Sequence, residues 1–283
     1  MTPIQTVNQV FDAIQQAKAG APDFCTNFFP VQRKIQEWID HGELAGEFRD
    51  DAAFFFRRDR DFHHLYFCAS SVSALKRDIV ALPELKSERL VMDIVGKEAD
   101  LSPMISVWET AGFRRFTRLY RMARASQPTT GRASDAPDPS EGNTPNFADK
   151  ADCQAILDLL ERAFNRYGEQ IPTLYEIEAA VQARQILAAK HDGALAGLLH
   201  FETQGVTSTL RFWCVGEEFR ALKFGSTLIR QYFAVNNTVR RFILWVAADN
   251  INAVQKYSHY GYTPDGLVDY VLANELIPEM IPA

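Results

Sequence analysis

The 283-residue chain has only four cysteines, Cys25, Cys68, Cys153 and Cys214; no two form a C-x-x-C pair, and none stands at metal-ligand spacing with the six histidines. That scatter argues against a disulfide framework and against a zinc or other metal site, and leaves the thiols as small buried hydrophobes. No run approaches the ~20 apolar residues of a bilayer-spanning helix, and the N-terminus lacks a basic-then-apolar leader. The expectation is a cytoplasmic protein with no membrane role. A basic excess is missing too, since 30 Lys and Arg face 36 Asp and Glu for a net charge of −6. This balance argues against nucleic acid held by bulk charge. Two local clusters, Arg57, Arg58 and Arg60 and then Arg114, Arg115, Arg118, Arg121 and Arg124, read as solvated or salt-bridged surface.

Hydrophobic periodicity is absent over 125–145, a stretch rich in Pro, Ser, Gly and Thr that reads as a flexible linker. It divides the chain into domains at 1–124 and 146–283. The first domain balances 17 basic against 17 acidic residues, so the net negative charge lies in the linker and the second half.

The informative residues are concentrated in that second half. Residues 241–248 read as a strand, Asn250 as a helix N-cap, and Gly261 as the residue that stops the helix. Asn250, Ala253 and Tyr257 are spaced i, i+3, i+7 and share one face, which carries the Tyr257 hydroxyl into the cleft this helix borders. Upstream, 210–215 reads as a buried strand and 221–236 as an amphipathic helix with Gly225, Leu228, Ile229, Tyr232 and Phe233 on one face. The turn between them, 216–226, leads into a helix N-terminus whose unpaired N–H groups suit a phosphate.

The pattern Asn-x-x-Ala-x-x-x-Tyr-x-x-x-Gly-aromatic at 250–262 resembles the second signature of the GNAT superfamily, the acyl-CoA-dependent N-acyltransferases. The turn resembles that family's pyrophosphate loop, Arg/Gln-x-x-Gly-x-Gly/Ala, with Arg220 and Gly225 matching and Lys223 in place of the first glycine. The resemblance implies an α/β fold of the α+β kind, two GNAT-like domains, each with a central mixed, mostly antiparallel sheet flanked by helices. It implies direct transfer of an acyl group, acetyl or longer, from acyl-CoA to the amine of a small molecule. Strands 210–215 and 241–248 splay apart in this fold, and the pantetheine arm enters the gap along the backbone of Trp213, Cys214 and Val215. Arg220, Ala221, Leu222, Lys223, Phe224, Gly225 and Ser226 then form the pyrophosphate cradle. Asn250, Ala253 and Tyr257 border the donor, with Tyr257 beside the thioester sulfur as the acid.

The general base is not written so clearly. Thr209 stands where many family members carry a glutamate, and it cannot serve. His200 and Glu202, read as lying on opposite faces of the neighbouring strand, are the candidate bases. Arg211 and Trp213, read as sharing a face with Thr209, are the acceptor-side candidates, and Arg211 suits a carboxylate. An α-amine of pKa ~8 is roughly a tenth free base at pH 7, so it needs less help than a lysine side chain. Two further readings stand beside this one. The donor is an acyl carrier protein, whose single phosphate suits Lys223; or the protein is non-catalytic and uses a GNAT fold to sense CoA or hold a partner.

The rest of the second half reads as a short strand at 146–148, helices at 153–164 and 175–185, and a hairpin turning at Asp192-Gly193. The first half repeats the architecture in degraded form. Strand 89–96, helix 101–111 and strand 113–120 follow one another, and matching Gly112-Phe113 to Gly261-Tyr262 sets Leu101, Met104 and Trp108 against Asn250, Ala253 and Tyr257. An indole is no acid. Strand 65–70 enters helix 72–81 through serines with no glycine, so no phosphate cradle is expected there.

Overall fold

A computed structural model describes residues 1–126 and 145–278, so most of the expected linker lies outside the described residues. The chain forms two compact units, Met1–Leu119 with Gly266 onward, and Tyr120–Asp265. The end of the chain, which the sequence reading assigns to the second domain, therefore groups with the first. Both units have a mixed, mostly antiparallel sheet flanked by helices.

The first unit runs β1 (Thr2–Pro3), α1 (Val7–Lys18), β2 (Cys25–Thr26), α2 (Gln32–Asp40), β3 (Leu44–Phe48), β4 (Ala52–Asp59), β5 (Phe62–Ala69), α3 (Val72–Ile79), α4 (Glu84–Ser87), β6 (Leu90–Lys97), α5 (Glu98–Thr110) and the start of β7 (Phe113–Ala125). Helix α1 begins in a Thr6–Gln9 capping box and buries Val10 and Ala17; Gly20, at φ +67°, turns the chain beyond it. The sheet order is β1-β3-β4-β5-β6, with β2 on β5 and the last strand of the chain, β12 (Thr263–Asn274), completing it. β12 pairs antiparallel with β6 from Leu267↔Lys97 to Ala273↔Val91. Fully buried Phe54, Phe55, Phe56, Phe62, Phe67 and Trp108 fill this unit's core.

The second unit contains α6 (Cys153–Ala163), α7 (Leu174–Gln182), β8 (Ile186–His191), β9 (Ala194–Gln204), β10 (Thr207–Val215), α8 (Phe224–Val235), β11 (Arg241–Ala247) and α9 (Ile251–His259). Its sheet order is β7-β11-β10-β9-β8. The β8–β9 hairpin turns through Asp192 and Gly193, both at positive φ as a tight primed turn requires. The expected strand at 146–148 is reduced to a single bridge, Phe147↔Leu187. Two apolar layers sandwich the sheet. One gathers Leu210, Leu228, Tyr232, Leu244, Tyr257 and Tyr262, and the other Ile156, Leu160, Ile177, Leu198 and Phe212. Among the described residues, no helix is long and apolar enough to cross a membrane.

The faces of β9 and β10 differ from those expected. Leu199 and Phe201 both pack in the first layer, so His200 and Glu202, two residues apart on an unbroken strand, share the other face rather than opposite ones. On β10, a register shift between Leu210 and Phe212 inverts the alternation. Phe212 therefore joins the α6/α7 layer while Trp213 packs with Leu210 against α8 and α9, away from the face of Thr209.

Candidate active site

Strand β10 pairs with β9 along its length, from Thr207↔Gln204 to Val215↔Gly197. Its parallel pairing with β11 covers only Thr207–Leu210 against Arg241–Leu244, although β10 continues to Val215 and β11 to Ala247. Beyond Leu210 the two strands part. Backbone groups on that edge of 211–215 thus face a gap rather than a ladder, and such groups demand a partner. Close approach on the other edge is secured by Gly197, where a Cβ would stand 2.9 Å from the Cys214 carbonyl oxygen.

The expected helix from Ala221 starts later. Glu217–Leu222 forms a 3₁₀ turn, Lys223 adopts a left-handed conformation at φ +58°, and α8 begins at Phe224 without a side-chain cap. That conformation is the reason glycine suits the position, since a Cβ there costs roughly 1–2 kcal/mol. Arg220 is exposed and pairs with Glu217 at 3.1 Å, with Ala221 and Leu222 exposed beside it. Ser226 N–H already donates to the Lys223 carbonyl at 3.0 Å. The N–H groups of Phe224 and Gly225 lie at the helix start, beyond the reach of any helix carbonyl. A Cβ at Gly225 would meet Trp213 no closer than 3.5 Å, so the protein itself leaves room there.

Helix α9 is capped as expected. The Asn250 side chain accepts from the Ala253 N–H at 3.0 Å, so these two residues fix the helix start, and Gly261 turns the chain at φ +83° after its end. Tyr257 is buried against Trp213 and Tyr262, with ring centroids 5.7 and 6.0 Å away. Burial pushes its hydroxyl well above the ordinary tyrosine value, and the negative charge of Glu169 pushes the same way. It stays a protonated donor.

The sequence model of the acetyltransferase (GNAT) family matches residues 153–262, the span that holds the parted strands, the α8 turn and Tyr257. The second unit is a GNAT domain. No curated protein matches the chain. Among solved structures, a tandem GNAT protein from the clavulanic acid biosynthesis pathway is similar at TM-score 0.61 and 15% identity, covering 99% of both chains. A GCN5-related N-acetyltransferase from Sphaerobacter thermophilus is similar at 0.56 and 14%, covering 99% of this chain and 96% of that one. One from Kribbella flavida gives 0.52 and 11%, with 86% and 93% covered. These likenesses show the tandem GNAT fold.

Within this GNAT domain the candidate bases fall unequally. His200 is buried and stacks on Phe212 at 6.2 Å, and Glu202 lies 3.9 Å from Arg211 across the strand pair. Glu169, which the sequence reading passed over, acts on Tyr257 through its charge, which raises the tyrosine hydroxyl. It sits half-buried in the loop 164–173, and burial raises its carboxyl to about 7, with Asp249 adding in the same direction and the Asn165 backbone N–H opposing. A carboxyl that titrates near neutrality is a candidate base of a kind that β9 does not supply. Its loop has no periodicity, and burial of a loop acid is a tertiary property. The Cys214 thiol is pushed up to about 12 by burial, which leaves no nucleophile at this point of the strand.

Proposed function

We propose that the second unit is an N-acyltransferase that moves an acyl group from acyl-CoA directly to the amine of a small molecule. The observation that carries this reading is the parting of β10 and β11 after Leu210 with Tyr257 at the gap. The free edge along Trp213, Cys214 and Val215 takes the pantetheine amides as an added strand would. The N–H groups of Phe224 and Gly225 meet the pyrophosphate. The acceptor nitrogen attacks the thioester carbonyl, whose developing oxyanion takes a hydrogen bond from the Cys214 or Val215 N–H. Glu169 removes the proton from the nitrogen. The C–S bond breaks, and Tyr257 donates a hydrogen bond to the leaving thiolate. Because burial holds the Tyr257 proton tightly, its contribution is a bond that strengthens as charge grows on sulfur rather than full proton transfer.

The acceptor is a small amine of the α-amino kind, free base in useful amount near pH 7. Asn250 and Ala253 act by fixing α9, and Arg220 and Lys223 act at the rim of the phosphate loop. Calorimetry with CoA, acetyl-CoA, longer acyl-CoAs and 4′-phosphopantetheine tests the donor, followed by turnover with pooled amines. Micromolar binding of an acyl-CoA is expected, with 4′-phosphopantetheine weaker. Equal affinity for the two would favour a carrier-protein donor, and binding of neither would sink the proposal.

A further inference from the structure

The first unit repeats the parting of strands at the same place. Parallel pairing of β5 with β6 stops at His64↔Val91, five residues before β5 ends at Ala69. In the second unit it stops at Leu210, also five residues before the end of β10 at Val215. Counting back from the strand ends sets Phe67, Cys68 and Ala69 against Trp213, Cys214 and Val215. Ring packing supports that register, since Trp108 meets Phe67 at 5.3 Å and Phe113 at 5.2 Å, as Tyr257 meets Trp213 and Tyr262.

The gap of the first unit is filled by its own chain. β2 pairs antiparallel with β5, Cys25 against Ala69 and Thr26 against Cys68. The opposite edge of β5 is taken by β4 from Ala69 to Phe62, so β2 lies on the side that β6 has left. The Asn27 side chain then ties both parted strands. Its Nδ2 donates to the Leu65 carbonyl at 3.0 Å and to the Asp93 carbonyl on β6 at 3.1 Å, and its Oδ1 accepts from the Phe67 N–H at 2.7 Å. Thr26 Oγ1 donates to the Phe67 carbonyl at 2.6 Å and accepts from the Phe28 N–H at 2.9 Å. The Asn27 amide, laid between two parted strands, supplies the carbonyl acceptor and the N–H donor that a pantetheine amide would supply, and one further N–H that ties the second strand.

We propose that residues 25–27 are an internal ligand strand that closes the first unit's cleft to pantetheine and leaves the chain with a single donor site. This rests on the reading of 213–215 as the edge that pairs with pantetheine. The internal occupant has the advantage of a tethered ligand, whose effective concentration exceeds any free thioester. Displacing it would also strand the Leu65 and Asp93 carbonyls and the Phe67 N–H unless the newcomer matched each bond.

Hydrogen exchange on the full chain tests this. Saturating CoA is expected to slow exchange over 211–215 and to leave 65–69 unchanged; protection of 65–69 by CoA or by millimolar pantetheine would overturn the proposal. Asn27→Ala removes the acceptor of the Phe67 N–H, and exchange at Phe67 should rise about tenfold. Wild-type exchange in that variant would equally overturn it. Millimolar pantetheine should restore protection at 65–69 in Asn27→Ala, and failure to do so would deny the cleft its pantetheine character. Should Asn27→Ala unfold the unit, Thr26→Val gives the milder version of the same measurement. Absence of CoA protection over 211–215 would discard the donor-site reading by itself, while the Phe67 rates still decide the plug.

Discussion

The two units carry the same strand, turn, helix and terminating glycine, and differ at each point where chemistry would occur. After β10 the chain reaches α8 with no side-chain cap, whereas after β5 the Ser71 hydroxyl caps α3 by accepting from the Ala74 N–H at 3.1 Å. Beyond the splay stands Tyr257 in one unit and Trp108 in the other, both buried and both followed by a glycine at positive φ. The loop between the first two helices of each unit departs most. Residues 164–173 carry Glu169, whose charge acts on Tyr257, and residues 19–31 send Asn27 into the gap itself. A fold is retained when its layers still pack. A site is lost when its unpaired backbone groups acquire partners from the same chain.

The largest expected effect breaks the comparison at the phosphate end. Gly225→Val should abolish CoA binding in calorimetry by crowding the backbone N–H that the pyrophosphate would approach, while the melting temperature moves little, because the added Cβ meets Trp213 only at 3.5 Å. Undiminished affinity would remove this turn from the site. Next is Tyr257→Phe, which keeps the ring packing and should lower kcat about 10²–10⁴-fold with little change in KM for the donor. Its counterpart Trp108→Phe should leave kcat untouched, and a loss of turnover there would mean the first unit is not inert.

Glu169→Gln tests the base through pH. With a carboxyl at about 7, activity in the wild type should climb as pH rises through that value and level off above it, because only the carboxylate accepts a proton. The variant should lose this rise and fall about 100-fold at the plateau. For stability the sign is opposite. A carboxyl whose folded value is raised gives up stability as pH increases through about 7, so Glu169→Gln should be the more stable protein at pH 8.

The smallest effects concern the helix starts. Lys223→Gly should raise stability by about 0.5–1 kcal/mol, the left-handed penalty less the freedom that glycine gains when unfolded. Ser71→Ala should cost about 1 kcal/mol, read from urea midpoints, with no change in CoA binding. If Ser71→Ala created a second CoA site, the cap rather than the Asn27 segment would be the closure.

Much of the site was legible because it is local. The cap at Asn250, the i, i+3, i+7 face ending at Tyr257, and the stop at Gly261 all depend on contacts within one helix turn or two. The strand faces were less legible, since one extra residue at Arg211 turns Trp213 to the other layer and no residue type announces that bulge. Glu169 and Asn27 were not legible at all. Each lies in a loop whose partners are distant in sequence, Tyr257 for one and Leu65, Phe67 and Asp93 for the other.

By itself the sequence determined the order of strands and helices, the repeat, and the candidate donor signatures in its second half, because periodicity, caps and turn residues act over a few positions. Tertiary structure alone decided which strands complete which unit. The polar, proline-rich stretch at 125–145 marks a natural cut by composition, yet Tyr120–Ala125 belongs to the second unit and the strand from Gly266 pairs with β6 in the first. Alternating apolar residues specify that a strand will be buried and which face is inside. They carry no information on which partner's backbone will supply its hydrogen bonds, and that choice is made only when the layers pack.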